Sequence, residues 1–313
     1  MTNGSLENGR RGRGRPARVS VVLPVRNGLP YLADAVNSIL TQTYADLELV
    51  VSNNHSTDGT GRLLESITDP RLQVVRPPRP LSLADSHRFA IEQAHGELLW
   101  IMAADDVAEP DKIAKQVAAL DADPTLVLVG CWCTMIDRNG RTIGLIRPPS
   151  SPEAIQREIV RRNPFIAPAL LLRRAAYDAV GGIHEELGPA FDYDLSLRML
   201  SVGRGANLPE PLLQYRFHAG MHSLQNAQSL RRGAVRARWR VLRQGRRPIA
   251  DYRLLLRSAA AAMLPTQLLR VITWCTPARS RSRPLEKRMY GTVITRSSCV
   301  GSMAAAAGRR SNL

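Results

Sequence analysis

The chain of 313 residues is long enough to bury a sizeable core, and its 44% hydrophobic content fits a globular protein with one large domain, or one domain plus an appendage. Its net charge of +16 would suggest a polyanionic partner, but residues 19–230 carry −5, while residues 1–18 carry +4 and residues 231–313 carry +17. The net charge therefore says nothing about the substrate of the middle of the chain, and any basic partner surface belongs to its ends.

Arg10, Arg11, Arg13 and Arg15 lie among Gly and Pro without the apolar run of a secretory signal, so residues 1–18 are predicted to be a disordered basic segment. Val19 to Leu23 is a β-branched run closed by Pro24, Asn27 and Gly28. Helical spacing follows in Leu32, Val36, Ile39 and Leu40. The pattern repeats: Leu47 to Val51 leads through Thr57-Asp-Gly-Thr60 into Leu63, Leu64 and Ile67, and Leu72 to Val75 makes a third strand. Leu83 to Ala94 reads as a helix, and Leu98 to Met102 as a buried strand that runs into Ala103-Ala-Asp-Asp106. This alternation predicts an α/β fold whose mostly parallel central sheet is covered on both faces, with ligands at the carboxyl ends of its strands. Beyond Pro110 come a helix over 112–120, a strand over 126–129, a turn at Arg138-Asn-Gly140, a short strand over 170–172, a helix over 194–200 and a last strand over 212–217.

The spacing of Cys131, Cys133, Cys275 and Cys299 matches neither a disulfide framework nor a zinc site, and fits thiols in a reducing cytosol. The longest apolar stretch, Ser258 to Leu269, is bounded by Arg257 and Arg270 and falls short of the roughly 18 residues that span a bilayer. The expected location is cytoplasmic, with peripheral attachment at the inner face of the plasma membrane as a further option.

Asp105 and Asp106 directly follow a buried strand, so two carboxylates are held at the edge of the sheet. Adjacent carboxylates repel unless a cation sits beside them, and a hard divalent ion, Mg²⁺ or Mn²⁺, completed by a diphosphate, would supply that charge. The plainer alternative is an Asp-rich cap for the helix after Pro110. Asp58 sits in a polar turn that reads first as a helix cap. Asp192 and Asp194 precede an apolar helical stripe. Asp194 reads as the N-cap, and Asp192, in a Gly/Pro-bounded loop, is freer to act as a general base. His218 and His222 flank Gly220, which argues for a loop and against a two-His zinc site.

In this order, the segments Val19–Gly28, Ser52–Thr60, Ala94–Asp106, Phe191–Arg198 and Tyr215–His218 resemble the family 2 glycosyltransferases, inverting enzymes with the GT-A nucleotide-sugar-binding fold. The resemblance implies a catalytic domain over residues 19–230. Pro24, Arg26 and Asn27 would open the donor nucleotide pocket, Asn53 would stand at the base contact, and Asp58 and Arg88 would face the nucleotide. The family's Asp-X-Asp motif reads Ala104-Asp-Asp106 here, so Asp106 inherits the metal and Asp105 the neighbouring ribose contact. His218 would approach the metal or diphosphate, and Asp192 would be the base that activates the acceptor hydroxyl. The implied reaction moves a sugar from a nucleotide-sugar donor to a hydroxyl of a glycan, lipid or lipid-linked acceptor. Two other readings stay open: a non-catalytic nucleotide-sugar binder, and a nucleotidyltransferase, for which Pro24 to Gly28 makes a poor phosphate loop.

From Ser229 the composition turns to Arg, Ala and Leu. Residues 231–275 read as a basic amphipathic helical region suited to an anionic membrane surface, and residues 276–313 as a disordered tail. Nucleic-acid binding is disfavoured because aromatic residues are sparse.

Overall fold

The computed structural model describes residues 15–244 and, beyond them, residues 253, 255, 256 and 259. Most of the expected basic N-terminus, most of the 231–275 region and the whole 276–313 tail lie outside the described residues.

The first half of the fold follows the predicted alternation: β1 (Val19–Val25), α1 (Leu32–Leu40), β2 (Leu47–Asn53), α2 (Thr60–Glu65), β3 (Leu72–Val75), α3 (Leu83–Glu92) and β4 (Leu98–Ile101). Val19, Val21, Val22 and Leu23 are all fully buried, as is Ser20, the one polar residue among them, because helices cover both faces of the strand. Helix α1 buries Leu32, Ala35, Val36 and Ile39, the i, i+3, i+4, i+7 stripe of an amphipathic helix. Helix α3 starts where the Ser82 hydroxyl accepts the backbone N–H of Asp85.

The second half comprises β5 (Val107–Ala108), α4 (Lys112–Ala122), β6 (Leu126–Ile136), β7 (Thr142–Ile146), α5 (Pro152–Glu158), β8 (Leu171–Arg173), α6 (Arg174–Ala179), α7 (Phe191–Met199), β9 (Arg204–Arg216), α8 (His222–Gln225) and α9 (Ala227–Gln244). The nine strands form one sheet in the order β3-β2-β1-β4-β8-β6-β9-β5, with β7 paired to β6. The order 3-2-1-4 is parallel, as expected. Beyond β4 the sheet is mixed: β8 is antiparallel to both β4 and β6, while β6 and β9 run parallel.

The two longest strands exceed the sequence reading, which ends the first at Val129 and begins the second at Leu212. Their added length is fixed by mutual pairing that runs from Gly130↔Asn207 to Ile136↔Arg216, with the register shifting on either side of Trp132. Local propensity could not reveal it, because Pro209 and Pro211 interrupt the second strand. Among the described residues no helix is long and apolar enough to cross a membrane.

Under the sheet lies a polar knot in an apolar setting. Lys112, 0% exposed, donates from Nζ to Gln116 Oε1 at 2.7 Å and stands 3.8 Å from the centroid of the Trp100 ring. Gln116 in turn donates to the carbonyls of Val129 and Ala169, both at 2.8 Å. Among the described residues no carboxylate pairs with this ammonium, and burial pulls Lys112 down to about 8. The unfolded chain, with a lysine near 10.4, binds a proton between about pH 8 and 10.4 that the folded chain has released. This group therefore costs the fold most below pH 8, and its penalty fades as pH rises to 10.4. The difference in urea midpoint between Lys112→Met and the wild type should accordingly become less favourable to the variant across that window. A difference that stays constant with pH would show that Lys112 titrates normally.

Candidate active site

The carboxyl ends of β1 and β4, the first turn of α7, the segment after β9 and one face of α9 enclose a cleft of about 1320 Å³. The apolar run of β4 ends at Ile101 and delivers Asp105 and Asp106 to its floor. Neither caps the following helix: α4 begins after Asp111 with no side-chain cap. Asp106, 1% exposed, accepts the backbone N–H of Arg216 through Oδ1 at 2.8 Å, while its Oδ2 is buried and has no hydrogen-bond partner. Burial, and then the charge of Asp105, push the Asp106 carboxyl well above the usual range.

His218 closes over this pair. Its Nε2 lies 2.9 Å from Asp105 Oδ2, its Nδ1 accepts the Gly220 N–H at 3.2 Å, and its ring packs on Tyr31 with centroids 5.0 Å apart. The Arg216 guanidinium lies 4.5 Å from the centroid of the same Tyr31 ring and donates through Nε to the Asp105 carbonyl at 2.8 Å. The strand end is thus held by Arg216, while the Asp105 side chain stays at the cleft surface.

A divalent cation fits this arrangement on one observation: the buried, unsatisfied Oδ2 of Asp106 beside a second carboxylate is an acceptor awaiting positive charge. Both ring nitrogens of His218 are engaged, so it could ligate through Nε2 only by leaving Asp105. Among the described residues no cluster of three or more His, Cys, Asp or Glu has metal-holding geometry. Mg²⁺ usually completes its coordination with substrate phosphates and water, which suits a site of so few carboxylates.

Asp192 stands on the wall formed by α7. The sequence suggests a loop, but the residue lies in the helix's first turn and accepts from Asn163 Nδ2 at 3.2 Å. Burial pushes its carboxyl up to about 6, against the lowering effect of backbone N–H groups at the helix start and of Asn163. Asp194 is not the N-cap expected from the sequence. It lies deeper in the helix and is 2% exposed, with Arg198 at 2.8 Å and His184 and Arg240 at 3.5 and 3.7 Å. That network ties α7 to α9 and fixes the face on which Asp192 sits.

Pro24, Arg26, Asn27, Asp105, Asp106, Asp192 and His218 all line the cleft. Asn53 and Asp58 stand beside it and shape the β1 loop. Asp58 accepts the N–H groups of Leu29 and Thr60, both at 3.0 Å; slight burial works to raise its carboxyl, yet these bonds hold it below the usual range. Asn53 Oδ1 accepts the Ser56 N–H at 3.1 Å, and Asn27 Oδ1 that of Thr57 at 2.8 Å. Asn54 is committed elsewhere: buried, it bonds both the backbone N–H and the carbonyl of Leu81 and the Ser86 hydroxyl, each at 2.9 Å.

Arg88 requires a correction. Its guanidinium pairs with Asp85 at 3.0 Å and Glu92 at 3.9 Å along the outer face of α3 and does not reach the cleft. The cleft-facing residues of that helix are Leu83 and His87. His87 is buried, its Nδ1 lies 2.8 Å from the Leu83 carbonyl, and its ring packs on Phe191 with centroids 4.9 Å apart. Burial pulls it down to about 4, so it is neutral at physiological pH. His87, Asn163 and Arg231 are cleft residues that the sequence reading misses; the helical stripe of α3, on which His87 follows Leu83 and Ala84, could have revealed the first.

Residues 20–181 match the model of the family described as glycosyl transferase family 2. The putative glycosyltransferase EpsE of Bacillus subtilis is 26% identical over 258 residues, which cover 80% of this chain and 91% of that protein. The chondroitin synthase of Pasteurella multocida is 26% identical over 212 residues, 66% of this chain but only 21% of that much longer protein. Among solved structures, S. aureus TarS 1–349 in complex with UDP-GlcNAc superposes with a TM-score of 0.62 at 18% identity, covering 87% of this chain and 78% of that one. The mannosyltransferase PcManGT of Pyrobaculum calidifontis in complex with GDP-Man and Mn²⁺ gives 0.59 at 21% identity, covering 88% and 79%. These likenesses establish the GT-A fold.

Proposed function

The chain belongs to glycosyl transferase family 2 and is a glycosyltransferase, and we propose that it transfers a sugar, with inversion, from a nucleotide-sugar donor to a hydroxyl of a glycan, lipid or lipid-linked acceptor. One juxtaposition carries the reading: a single cleft sets a carboxyl raised to about 6, on Asp192, apart from an aspartate pair that holds a buried, unpartnered oxygen. The first suits a base, the second a cation. Residues 19–230 form the catalytic unit in this reading.

Asp192 takes the proton of the acceptor hydroxyl as the oxygen attacks the anomeric carbon from the side opposite the diphosphate. Asn163 holds the carboxylate in place and stabilises its charged form. Pro24, Arg26, Asn27 and Asp105 line the donor side, while Asn53 and Asp58 set the shape of the loop that bears them. Asp106 would hold a Mg²⁺ or Mn²⁺ ion, which when bound supplies positive charge against the charge building on the departing diphosphate. A thermal-shift screen of UDP-, GDP- and dTDP-sugars with and without Mn²⁺ tests the donor, since a ligand of the native state raises apparent stability. A chain that responds to none of them does not use these donors.

An anionic membrane is the proposed surface for α9. Its solvent side carries Arg232, Arg236, Trp239 and Arg243 at i, i+4, i+7 and i+11, with Trp239 48% exposed and the Arg243 guanidinium 6.0 Å from its ring centroid. Each basic residue near an anionic surface contributes roughly 1 kcal/mol, so Arg232→Glu with Arg243→Glu should cut binding to phosphatidylglycerol vesicles at least about tenfold. Equal flotation of the variant and the wild type would remove this surface from the account.

A further inference from the structure

Arg231 lines the cleft and has no role in the reading given above. Helix α9 docks closely against the turn before α7: a Cβ on Gly233 would meet the Leu187 carbonyl oxygen at 2.6 Å and the Ala190 Cβ at 2.7 Å, so only glycine permits this approach. The contact sets the cleft-facing side of the helix, Leu230, Arg231, Ala234 and Arg238, beside the first turn of α7 and therefore on the Asp192 wall. Arg238 is held within the protein, donating to the Tyr193 hydroxyl at 3.1 Å and the Arg161 carbonyl at 2.6 Å. Arg231 differs: its Nη1 is buried and makes no hydrogen bond, and burial pulls its guanidinium below the usual value. A buried guanidinium nitrogen with no acceptor, in the wall of a binding cleft, calls for an anion from outside.

The opposite charges are already placed. Asp105, Asp106 and Asp192 all line the cleft, and an anionic substrate on the Asp192 side would be repelled by them without a cation of its own. Resting on the transferase reading above, we propose that Arg231 binds an anionic group, a phosphate or a carboxylate, on the acceptor, close to the hydroxyl that Asp192 deprotonates. Arg231 thereby restricts acceptors to charged ones and orients them; the donor diphosphate belongs to the Asp105–Asp106 end.

Calorimetric titration of the full chain, loaded with Mg²⁺ and whichever of UDP or GDP it binds, tests this with two separate probes, phenyl phosphate and glucuronate. The wild type should bind one of them, and Arg231→Ala and Arg231→Gln should each weaken that binding at least about tenfold, the loss of a charge-assisted hydrogen bond. Nucleotide affinity should not change. Binding of phenyl phosphate marks a phosphorylated acceptor, and of glucuronate a carboxylated one. The proposal is overturned if neither probe binds the wild type, if both variants bind as the wild type does, or if nucleotide affinity falls while probe affinity holds. Should the wild type bind no nucleoside diphosphate, the donor reading fails on its own, and the same probes on the nucleotide-free chain still decide the role of Arg231.

Discussion

Asp192→Asn is expected to lower kcat by about 10²–10⁴, the usual contribution of a positioned general base, while leaving nucleotide affinity unchanged. The substitution keeps the shape of the side chain and removes only its ability to accept a proton. Asp192 is not part of the Asp194 network that ties α7 to α9, so the helix should keep its position. The wild-type profile of kcat/KM against pH should fall on the acid side with a midpoint near the value of about 6 set by burial of this carboxyl. Below that value the base is already protonated and cannot take the hydroxyl proton. Removing the Asn163 hydrogen bond destabilises the charged carboxylate, so Asn163→Ala should move the acid limb upward by about half a unit to one unit. Asp192→Asn should have lost that limb altogether. Near-normal turnover in Asp192→Asn, or an acid limb that survives the substitution, would assign the proton transfer to another group.

How far the molecule can be read from its sequence follows from which interactions are local. Strands β1, β2 and β4 are short, mainly apolar runs ended by polar residues, so the parallel half of the sheet and the edge carrying Asp105 and Asp106 are legible in the order of residues alone. The mixed half is only partly so. Residues 204–211 become strand through pairing with β6, and nothing in their own composition declares it. The site shows the same limit at the scale of one residue. His87 and Arg88 are neighbours, yet the helix turns about 100° between them, leaving the neutral imidazole in the cleft and the arginine on the outer face with Asp85 and Glu92. Asn53 and Asn54 are likewise adjacent: one helps shape the loop, while the other spends its amide on Leu81 and Ser86. Asp192 is assigned by resemblance, and its capacity to act as a base depends on burial and on Asn163, 29 residues away in sequence. Arg231 lies within a stretch so rich in arginine that no single one stands out.

Asp106→Asn separates the electrostatics of the fold from those of the reaction. Without a cation the native carboxylate is buried, beside a like charge and with one oxygen unpartnered, so its neutral amide isostere should leave the metal-free protein at least as stable as the wild type. The amide oxygen can still accept the Arg216 N–H, which preserves the junction between the end of β4 and β9. With Mn²⁺ and nucleoside diphosphate present, the order should reverse. The variant lacks the anionic oxygen that would hold the ion, so the gain in melting temperature on adding Mn²⁺ with UDP or GDP should largely vanish, and turnover should fall by about 10²–10³, the scale of losing a principal electrostatic stabiliser. The two measurements have opposite signs because the feature that destabilises the empty cleft, uncompensated negative charge at a buried strand end, is the one that attracts the ion. A variant less stable than the wild type in the absence of metal would make Asp106 a structural group. A variant that keeps its Mn²⁺-dependent shift would move the ion to Asp105 and His218.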